Sequence, residues 1–277
     1  MTRLRSIGLV CVAVLCTAAL TSAQIRNGKT KTGIAYDVRG TGPVVVLLSG
    51  SNLDRRMWAR EVDWLSEKHT VIRYDLRAHG QSETATAPFN NLDDLSSLLD
   101  ELKVRKATLI GLSAGSTIAL DFALHAPERV EQTVLAGPAI SGYVTKQQLP
   151  FTADLIAALQ SQDYRKAAEV LLGTSVFTVP AESQALVRSM VIENDRLWTV
   201  PREFLKPSPP AIDKLEQVKV PTLVLVGEKD VFQREQADLL ARRVPGVRMI
   251  VVPGGGHLLN LTSPNEFRAA VTSFLKK

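Results

Sequence analysis

The chain has 277 residues, with 33 lysines and arginines against 28 acidic residues and a formal net charge of +5. Arg3 and Arg5 lie in the first 23 residues, and without them the charge is 31 minus 28, or +3. A positive charge this weak and this evenly spread does not indicate a nucleic-acid partner. Both cysteines, Cys11 and Cys16, also lie within residues 1–23, so a chain that begins at Gln24 has no disulfide and no cysteine-ligated metal.

Residues 1–23 have the pattern of a secretory signal peptide. Two arginines precede an apolar run from Ile7 to Leu20, and small residues, Ser22 and Ala23, follow it. The run is shorter than the roughly 18 to 20 apolar residues that a membrane span needs. We therefore expect cleavage after Ala23, no stable membrane anchor afterwards, and a secreted or periplasmic protein. An uncleaved N-terminal anchor is the alternative.

From residue 44 onward, short apolar runs alternate with amphipathic stretches. The runs cover residues 44–48, 71–74, 107–111, 133–137, 222–227 and 249–253. The helical patterns cover residues 56–68, 92–104, 115–126, 233–243 and 264–276. This alternation predicts an α/β fold, with a mostly parallel twisted sheet flanked by helices, built from residues 24–137 and 218–277. The runs are apolar throughout, as expected for strands that are buried on both faces.

The alternation stops between residues 138 and 217, where helical patterns occur without a convincing strand. We interpret this segment as a helical cap inserted into the α/β core. A cap of this kind forms the roof of a pocket, so its large apolar residues are candidates to bind substrate. The candidates are Tyr143, Phe151, Phe177 and Trp198. The alternative for each of them is plain core packing.

The segment GLSAGS at 111–116 holds a candidate nucleophile, Ser113. Gly111 and Gly115 flank it in the pattern G-x-S-x-G, which allows a very tight turn from a strand into a helix and exposes the serine hydroxyl. The pattern alone is modest support, because glycine and serine are common. Its context strengthens it, since a strand-like run precedes it and a helical pattern follows.

A serine hydroxyl needs a base, and His257 is the best placed of the four histidines. It follows three glycines and a strand, so its loop lies at the carboxyl end of the sheet, where open α/β sheets place their sites. His69 follows a charged helix end, His125 lies more than three turns beyond Ser113, and His79 occupies a loop.

The base in turn needs a carboxylate to orient it, and two acids follow the strand at 222–227. Asp230 is the first choice, with Glu228 as the rival. The resulting order along the chain is serine, acid, histidine, which differs from that of the chymotrypsin and subtilisin types.

These motifs, together with LLSGSN at 47–52 and DLRAHGQS at 75–82, resemble the α/β-hydrolase superfamily in its branch with a helical cap. The resemblance implies that Asp75, Arg77, Gly80 and Ser82 are mainly structural. In that family the loop after the strand at 44–48 usually carries His-Gly. This chain has Ser49 and Gly50 in those places.

The same loop supplies a backbone N–H to the oxyanion in this fold, and here the donor is predicted to be Ser51. The second predicted donor is Ala114, which follows the nucleophile and opens a helix. Side-chain donation from Ser49, Ser51 or Asn52 is the alternative.

The sequence thus predicts a serine hydrolase that cleaves a small-molecule carboxylic ester or lactone through an acyl-enzyme, without cofactor or metal. Two alternatives use the same residues. One is a ligand-binding or receptor-like member of the superfamily with little turnover, and the other is a cofactor-free haloperoxidase or perhydrolase.

Overall fold

The computed structural model describes residues 25–145 and 149–275, so the predicted signal peptide lies outside the described residues. An eight-stranded sheet forms the centre, in the order β1-β2-β4-β3-β5-β6-β7-β8. Its strands are β1 (Arg26–Lys29), β2 (Ala35–Arg39), β3 (Val44–Leu48), β4 (Thr70–Tyr74), β5 (Ala107–Leu112), β6 (Val130–Ala136), β7 (Thr222–Gly227) and β8 (Arg248–Val252). Strands β3 to β8 pair in parallel, whereas β1 and β2 join the edge as antiparallel strands. The prediction of a mostly parallel sheet is therefore confirmed.

The apolar strand sequences place side chains alternately on the two faces of the sheet. In β3, Val46 and Leu48 pack into the hydrophobic cluster on one face, while Val45 and Leu47 pack into the cluster on the other. All four are fully buried. A continuous apolar run is stable here because helices cover both faces and leave no strand face for water.

The α-helices of the described residues lie between and after these strands. They are α1 (Ala59–Leu65), α2 (Asn91–Glu101), α3 (Ala114–His125), α4 (Thr152–Gln160), α5 (Tyr164–Leu172), α6 (Ala181–Glu193), α7 (Val231–Arg243), α8 (Leu259–Thr262) and α9 (Pro264–Leu275). None of the helices within 25–145 and 149–275 is long and apolar enough to cross a membrane.

The predicted helix at 56–68 is shorter than expected. A 3-10 turn at Arg55–Trp58 precedes α1, and the side chain of Asp54 caps that turn by accepting a hydrogen bond from the Arg56 N–H at 3.0 Å. The Asp54 cap therefore begins a 3-10 turn, and the α-helix itself starts only after that turn.

Between β6 and β7 the chain leaves the sheet and forms α4, α5, α6 and several 3-10 turns. The described residues of 138–217 form no strand longer than an isolated bridge, in which Leu205 pairs with Phe89 of the core. We call residues 138–217 the cap. It lies over the carboxyl edge of the sheet, because cap residues line cavities together with the loops that follow β3 and β5.

The strand order creates a switch point between the neighbours β3 and β5, since the chain leaves β3 toward one edge and β5 toward the other. Crevices at such points, outside the carboxyl ends of the strands, are where open α/β sheets bind ligands. The loop that holds Ser51 follows β3, and Ser113 directly follows β5. The topology therefore places both at the same crevice.

Candidate functional site

Ser113 lies in a strained turn between β5 and α3. Its backbone has φ 54° and ψ −117°, in the region that residues with a side chain rarely adopt. A Cβ added to Gly111 would collide with the carbonyl of Gly115, and one added to Gly115 would collide with the carbonyl of Leu48. Only glycine fits at both flanking positions. The Ser113 side chain occupies the N-cap position of α3 but makes no capping hydrogen bond, which leaves its hydroxyl available.

His257 and Asp230 form a buried pair across two loops. Nδ1 of His257 lies 2.7 Å from Oδ2 of Asp230, and each residue is only 3% exposed. Asp230 precedes α7 but makes no side-chain capping bond there, so its carboxylate is directed to the imidazole. Of the two acids that the sequence left open, Glu228 is exposed and accepts a hydrogen bond from the Gly254 N–H at 2.8 Å. The geometry therefore pairs Asp230, and not Glu228, with His257.

Ser113 and His257 line one cavity of about 220 Å³, which we call the inner cavity. Its walls are mostly apolar and come from the loop after β3, the end of β5, the loop after β8 and the cap: Leu53, Leu112, Leu258, Leu171, Val176 and Phe177. The end of β6 also approaches the imidazole, because a Cβ added to Gly137, at φ +48°, would lie 2.9 Å from Nδ1 of His257. The close approach of Gly137 to His257 was not predicted from the sequence. The only local sign of it is that a glycine directly follows a strand.

The other histidines do not line the inner cavity, although His79 lines a neighbouring one. His125 is exposed, and His69 contacts the carbonyl of Leu65 through Nδ1 at 3.2 Å. His79 is buried, and its Nε2 accepts a hydrogen bond from the Asn52 N–H at 3.3 Å. Within the part of the chain that the structure describes, no three His, Cys, Asp or Glu side chains form a group that could hold a metal ion.

The loop after β3 forms a tight turn beside the serine. The Leu53 N–H donates to the carbonyl of Gly50 at 3.2 Å, and Asn52, at the third position of the turn, has φ 61°. A Cβ added to Gly50 would lie 3.4 Å from Cβ of Ser113, which shows how closely the turn approaches the serine. We call residues 50–53 the oxyanion turn.

Two backbone N–H groups in or beside this turn make no hydrogen bond among the described residues. They belong to Ser51 and Ala114. Ser51 lines the inner cavity, and both residues line a second cavity of about 320 Å³. Ala114 is the first residue of α3, so the helix dipole favours negative charge there. Ser49 is fully buried, and its hydroxyl has no partner in residues 25–145 or 149–275.

The four apolar candidates of the cap occupy different places. Phe177 lines the inner cavity, whereas Trp198 lines a larger cleft of about 630 Å³ that shares no lining residue with the inner cavity. Tyr143 and Phe151 line neither of these, nor the second cavity. Tyr143 packs on the core and its hydroxyl bonds to Glu235, which raises the pKa of Tyr143. Phe151 packs against the other core cluster. Both side chains are partly buried against the core, and that they bind substrate stays a prediction.

The residues from Asp75 to Ser82 support the site without lining the inner cavity. The Asp75 carboxylate accepts from the Arg55 N–H and the Gln81 N–H, each at 2.8 Å, and burial raises its pKa. The Ser82 hydroxyl donates to the carbonyl of Asp75 at 2.6 Å and accepts from the Ala35 N–H at 2.8 Å. These bonds fix the loop after β4 against β2 and against the 3-10 turn at Arg55–Trp58.

Comparisons with known proteins bear on the family of the chain and on its fold. The sequence profile of the alpha/beta hydrolase family matches residues 45–270. Carboxylesterase YbfK of Bacillus subtilis is 26% identical over 253 residues, which cover 88% of this chain and 84% of the relative. A solved hydrolase from Pseudomonas aeruginosa PA01 superposes with a TM-score of 0.74 at 27% identity, over 91% of this chain and 98% of that one. The enol-lactonase from Burkholderia xenovorans LB400 shares the fold, with a TM-score of 0.75 at 23% identity over 91% of this chain and all of that one (100%).

Proposed function

Because the chain belongs to the alpha/beta hydrolase family, we propose that it is a serine hydrolase that cleaves carboxylic esters or lactones. The observation that carries the proposal is the meeting of three features at the inner cavity. They are Ser113 in its strained turn, the buried His257–Asp230 pair, and the unpaired N–H of Ser51. The names of relatives, carboxylesterase and enol-lactonase, support the same bond type.

In this proposal the Asp230 carboxylate accepts the hydrogen on Nδ1 of His257 and so leaves a lone pair on Nε2. Nε2 takes the proton of the Ser113 hydroxyl as Oγ attacks the ester carbonyl carbon. The carbonyl oxygen becomes an oxyanion, which the N–H groups of Ser51 and Ala114 hold. The imidazolium formed at His257 is stabilised by the carboxylate beside it.

Collapse of the tetrahedral intermediate expels the alcohol oxygen, and His257 gives it the proton that it took from Ser113. The acyl group stays on Oγ as an ester. Water then repeats the sequence, since His257 removes its proton, hydroxide attacks the acyl carbon, and the Ser113 oxygen leaves with that proton. In a lactone the alcohol and acyl groups belong to one molecule, and the ring opens.

The two cavities support a proposal for how an ester lies in the site. His257 lines the inner cavity, and the leaving alcohol must be beside His257 to receive its proton. Ser51 and Ala114 line the second cavity, which shares Phe89, Leu197 and Leu205 with the larger cleft and so adjoins it. A volume of about 220 Å³ equals roughly seven times the 30 Å³ share of one water molecule. We therefore assign the inner cavity to a short alcohol group and the second cavity to a longer, apolar acyl chain.

A panel of esters that varies the two sides separately tests this proposal. Methyl, butyl and octyl esters of one medium-chain acid vary the alcohol, and ethyl esters of acids from acetate to decanoate vary the acyl chain. We expect kcat/KM to fall as the alcohol lengthens. We expect kcat/KM to be maintained as the acyl chain lengthens. The reverse order would overturn the assignment of the cavities. Absence of hydrolysis across the panel and several lactones would favour a ligand-binding protein, and turnover only with hydrogen peroxide would favour a perhydrolase.

We also propose that the protein is exported and begins at Gln24, on the basis of the charged, apolar and small-residue order of residues 1–23. The intact mass of the protein recovered from outside the cytoplasm tests this. A mass that retains residues 1–23 would contradict it.

A further inference from the structure

Asn194 of the cap is fully buried at the end of α6, and all of its side-chain hydrogen bonds go to the core. Its Oδ1 accepts from the Gly80 N–H at 2.6 Å. Its Nδ2 donates to the carbonyl of Asn52 at 3.3 Å and to the Asp54 carboxylate at 3.2 Å. The orientation of the amide is fixed, because Gly80 offers only a donor there and Asn52 only an acceptor.

The carbonyl that Asn194 holds belongs to the oxyanion turn, one residue beyond Ser51. The other side of that turn is held by His79, whose Nε2 accepts from the Asn52 N–H. Nδ1 of His79 lies 2.9 Å from the carbonyl of Arg77, which can only accept, so Nδ1 carries the hydrogen and Nε2 the lone pair. Burial lowers the pKa of His79 and keeps this neutral form.

Asn52 therefore has its N–H held by the core and its carbonyl held by the cap, while it adopts a φ of 61°. Asparagine tolerates this left-handed conformation better than most residues, and the two contacts determine the orientation of its peptide groups. The direction of the neighbouring Ser51 N–H follows from the orientation of this turn, and a donor misdirected by a fraction of an ångström loses much of its effect on an oxyanion.

We propose that Asn194 is a positioning residue, which holds the oxyanion turn in the orientation that directs the Ser51 N–H at the reacting carbonyl oxygen. The inference rests on the proposed function, because it assigns the Ser51 N–H to an oxyanion. Asn194 touches neither substrate nor reacting atoms. It acts through the carbonyl of Asn52, and it makes the oxyanion site depend on the cap being seated on the core.

The test compares Asn194→Ala and Asn194→Asp with the control Arg196→Ala. Arg196 also ties the cap to the loop after β4, donating to the carbonyl of Gly80 at 2.6 Å, but it does not contact the oxyanion turn. Asn194→Asp keeps the size and the acceptor for Gly80 while losing both donors. We expect both Asn194 variants to lower kcat by about 10- to 100-fold with little change in KM, and Arg196→Ala to stay within about twofold of the wild type.

Two further readouts separate positioning from general destabilisation. In a Ser51→Pro background the N–H is already gone, so adding Asn194→Ala should cost no more than about twofold. Amide hydrogen exchange in the segment 49–53 should rise in the Asn194 variants and not in Arg196→Ala, whether or not an ester is turned over.

Equal kcat in the Asn194 variants and Arg196→Ala would overturn the proposal. So would a full loss that persists in the Ser51→Pro background, or unchanged exchange in the segment 49–53. A wild-type protein that hydrolyses no ester and does not react with a fluorophosphonate would instead refute the proposed function. The exchange experiment would still decide whether Asn194 holds the turn.

Discussion

Glu228 and Asp230 follow β7 two residues apart, and only Asp230 contacts His257. We expect Asp230→Asn to lower kcat by about 10³- to 10⁴-fold, because an amide beside Nδ1 stabilises the wrong imidazole tautomer. Glu228→Gln is the matched control. Its side chain is exposed and its amide oxygen can still accept from Gly254, so activity should stay within about twofold. A larger loss in Glu228→Gln than in Asp230→Asn would reverse the assignment.

Gly137 provides a second test at the level of single residues. In Gly137→Ala the new methyl group would press on Nδ1 of His257, and the φ of +48° adds backbone strain. Gly246→Ala adds comparable strain at φ +65° but meets nothing within 4 Å. We expect both variants to lose about 1 to 2 kcal/mol of stability, and only Gly137→Ala to lose kcat, by about 10- to 100-fold. Equal kcat in the two folded variants would show that the close approach does not position His257.

The choice of nucleophile, base and acid followed from local sequence, because each residue ends a strand or opens a loop at the same edge of the sheet. The contacts that hold them could not be inferred in this way. Asn194 lies 142 residues from Asn52, and its surroundings in the sequence, IEND, indicate only the end of a helix. Tyr143 and Phe151 show the converse, since large apolar residues in the cap pack on the core as readily as they line a cavity.

The oxyanion turn can be tested by comparing two substitutions of Ser51, one that removes its N–H and one that keeps it. Proline suits the second position of such a turn, so Ser51→Pro should fold while losing the N–H. We expect it to lower kcat by about 10²- to 10³-fold, whereas Ser51→Ala keeps the N–H and should cost little.

Asn52→Ala tests the alternative of side-chain donation. Nδ2 of Asn52 is buried and has no partner within the described part of the chain. If Ser51→Ala were as damaging as Ser51→Pro, or if Asn52→Ala alone cost about a hundredfold, the backbone assignment would be abandoned.

The central strands were predictable because β3, β5 and β7 are buried on both faces and their sequences carry no charged residue. Strands β1 and β2 gave no such signal. β1 is the sequence RNGK, mostly exposed at the edge of the sheet, and β2 contains the charged residues Asp37 and Arg39. Asp37 pairs with Arg55 and Arg73 from other elements, so burial of this strand depends on partners that a local pattern does not reveal.

Glu61 should make the free energy of unfolding of the whole protein depend on pH. It lies on α1, is 2% exposed, and accepts one hydrogen bond from Asn260 of α8 at 3.3 Å. Burial raises its pKa from 4.5 to about 7. Between these values the folded protein keeps the proton that the unfolded chain has released. The free energy of unfolding should therefore fall as pH rises through this window, by up to about 1.4 kcal/mol per pH unit.

Glu61→Gln keeps the acceptor for Asn260 and removes the titration. We expect its stability relative to the wild type to increase from pH 5 to pH 7 and then to level off, as measured by urea unfolding. Glu67→Gln, at an exposed position close to α1, serves as the control and should run parallel to the wild type. A constant difference between Glu61→Gln and the wild type across the window would contradict the account.

Trapping the acyl-enzyme on Ser113 would test the proposed mechanism at its covalent step. The protein is mixed with a p-nitrophenyl ester, quenched in acid within the first turnover, and digested for peptide mass spectrometry. We expect the added mass of the acyl group on Ser113, its loss over later turnovers, and its absence in Ser113→Ala. Steady hydrolysis by the wild type with the acyl group on another residue, or undiminished hydrolysis by Ser113→Ala, would contradict the proposed mechanism.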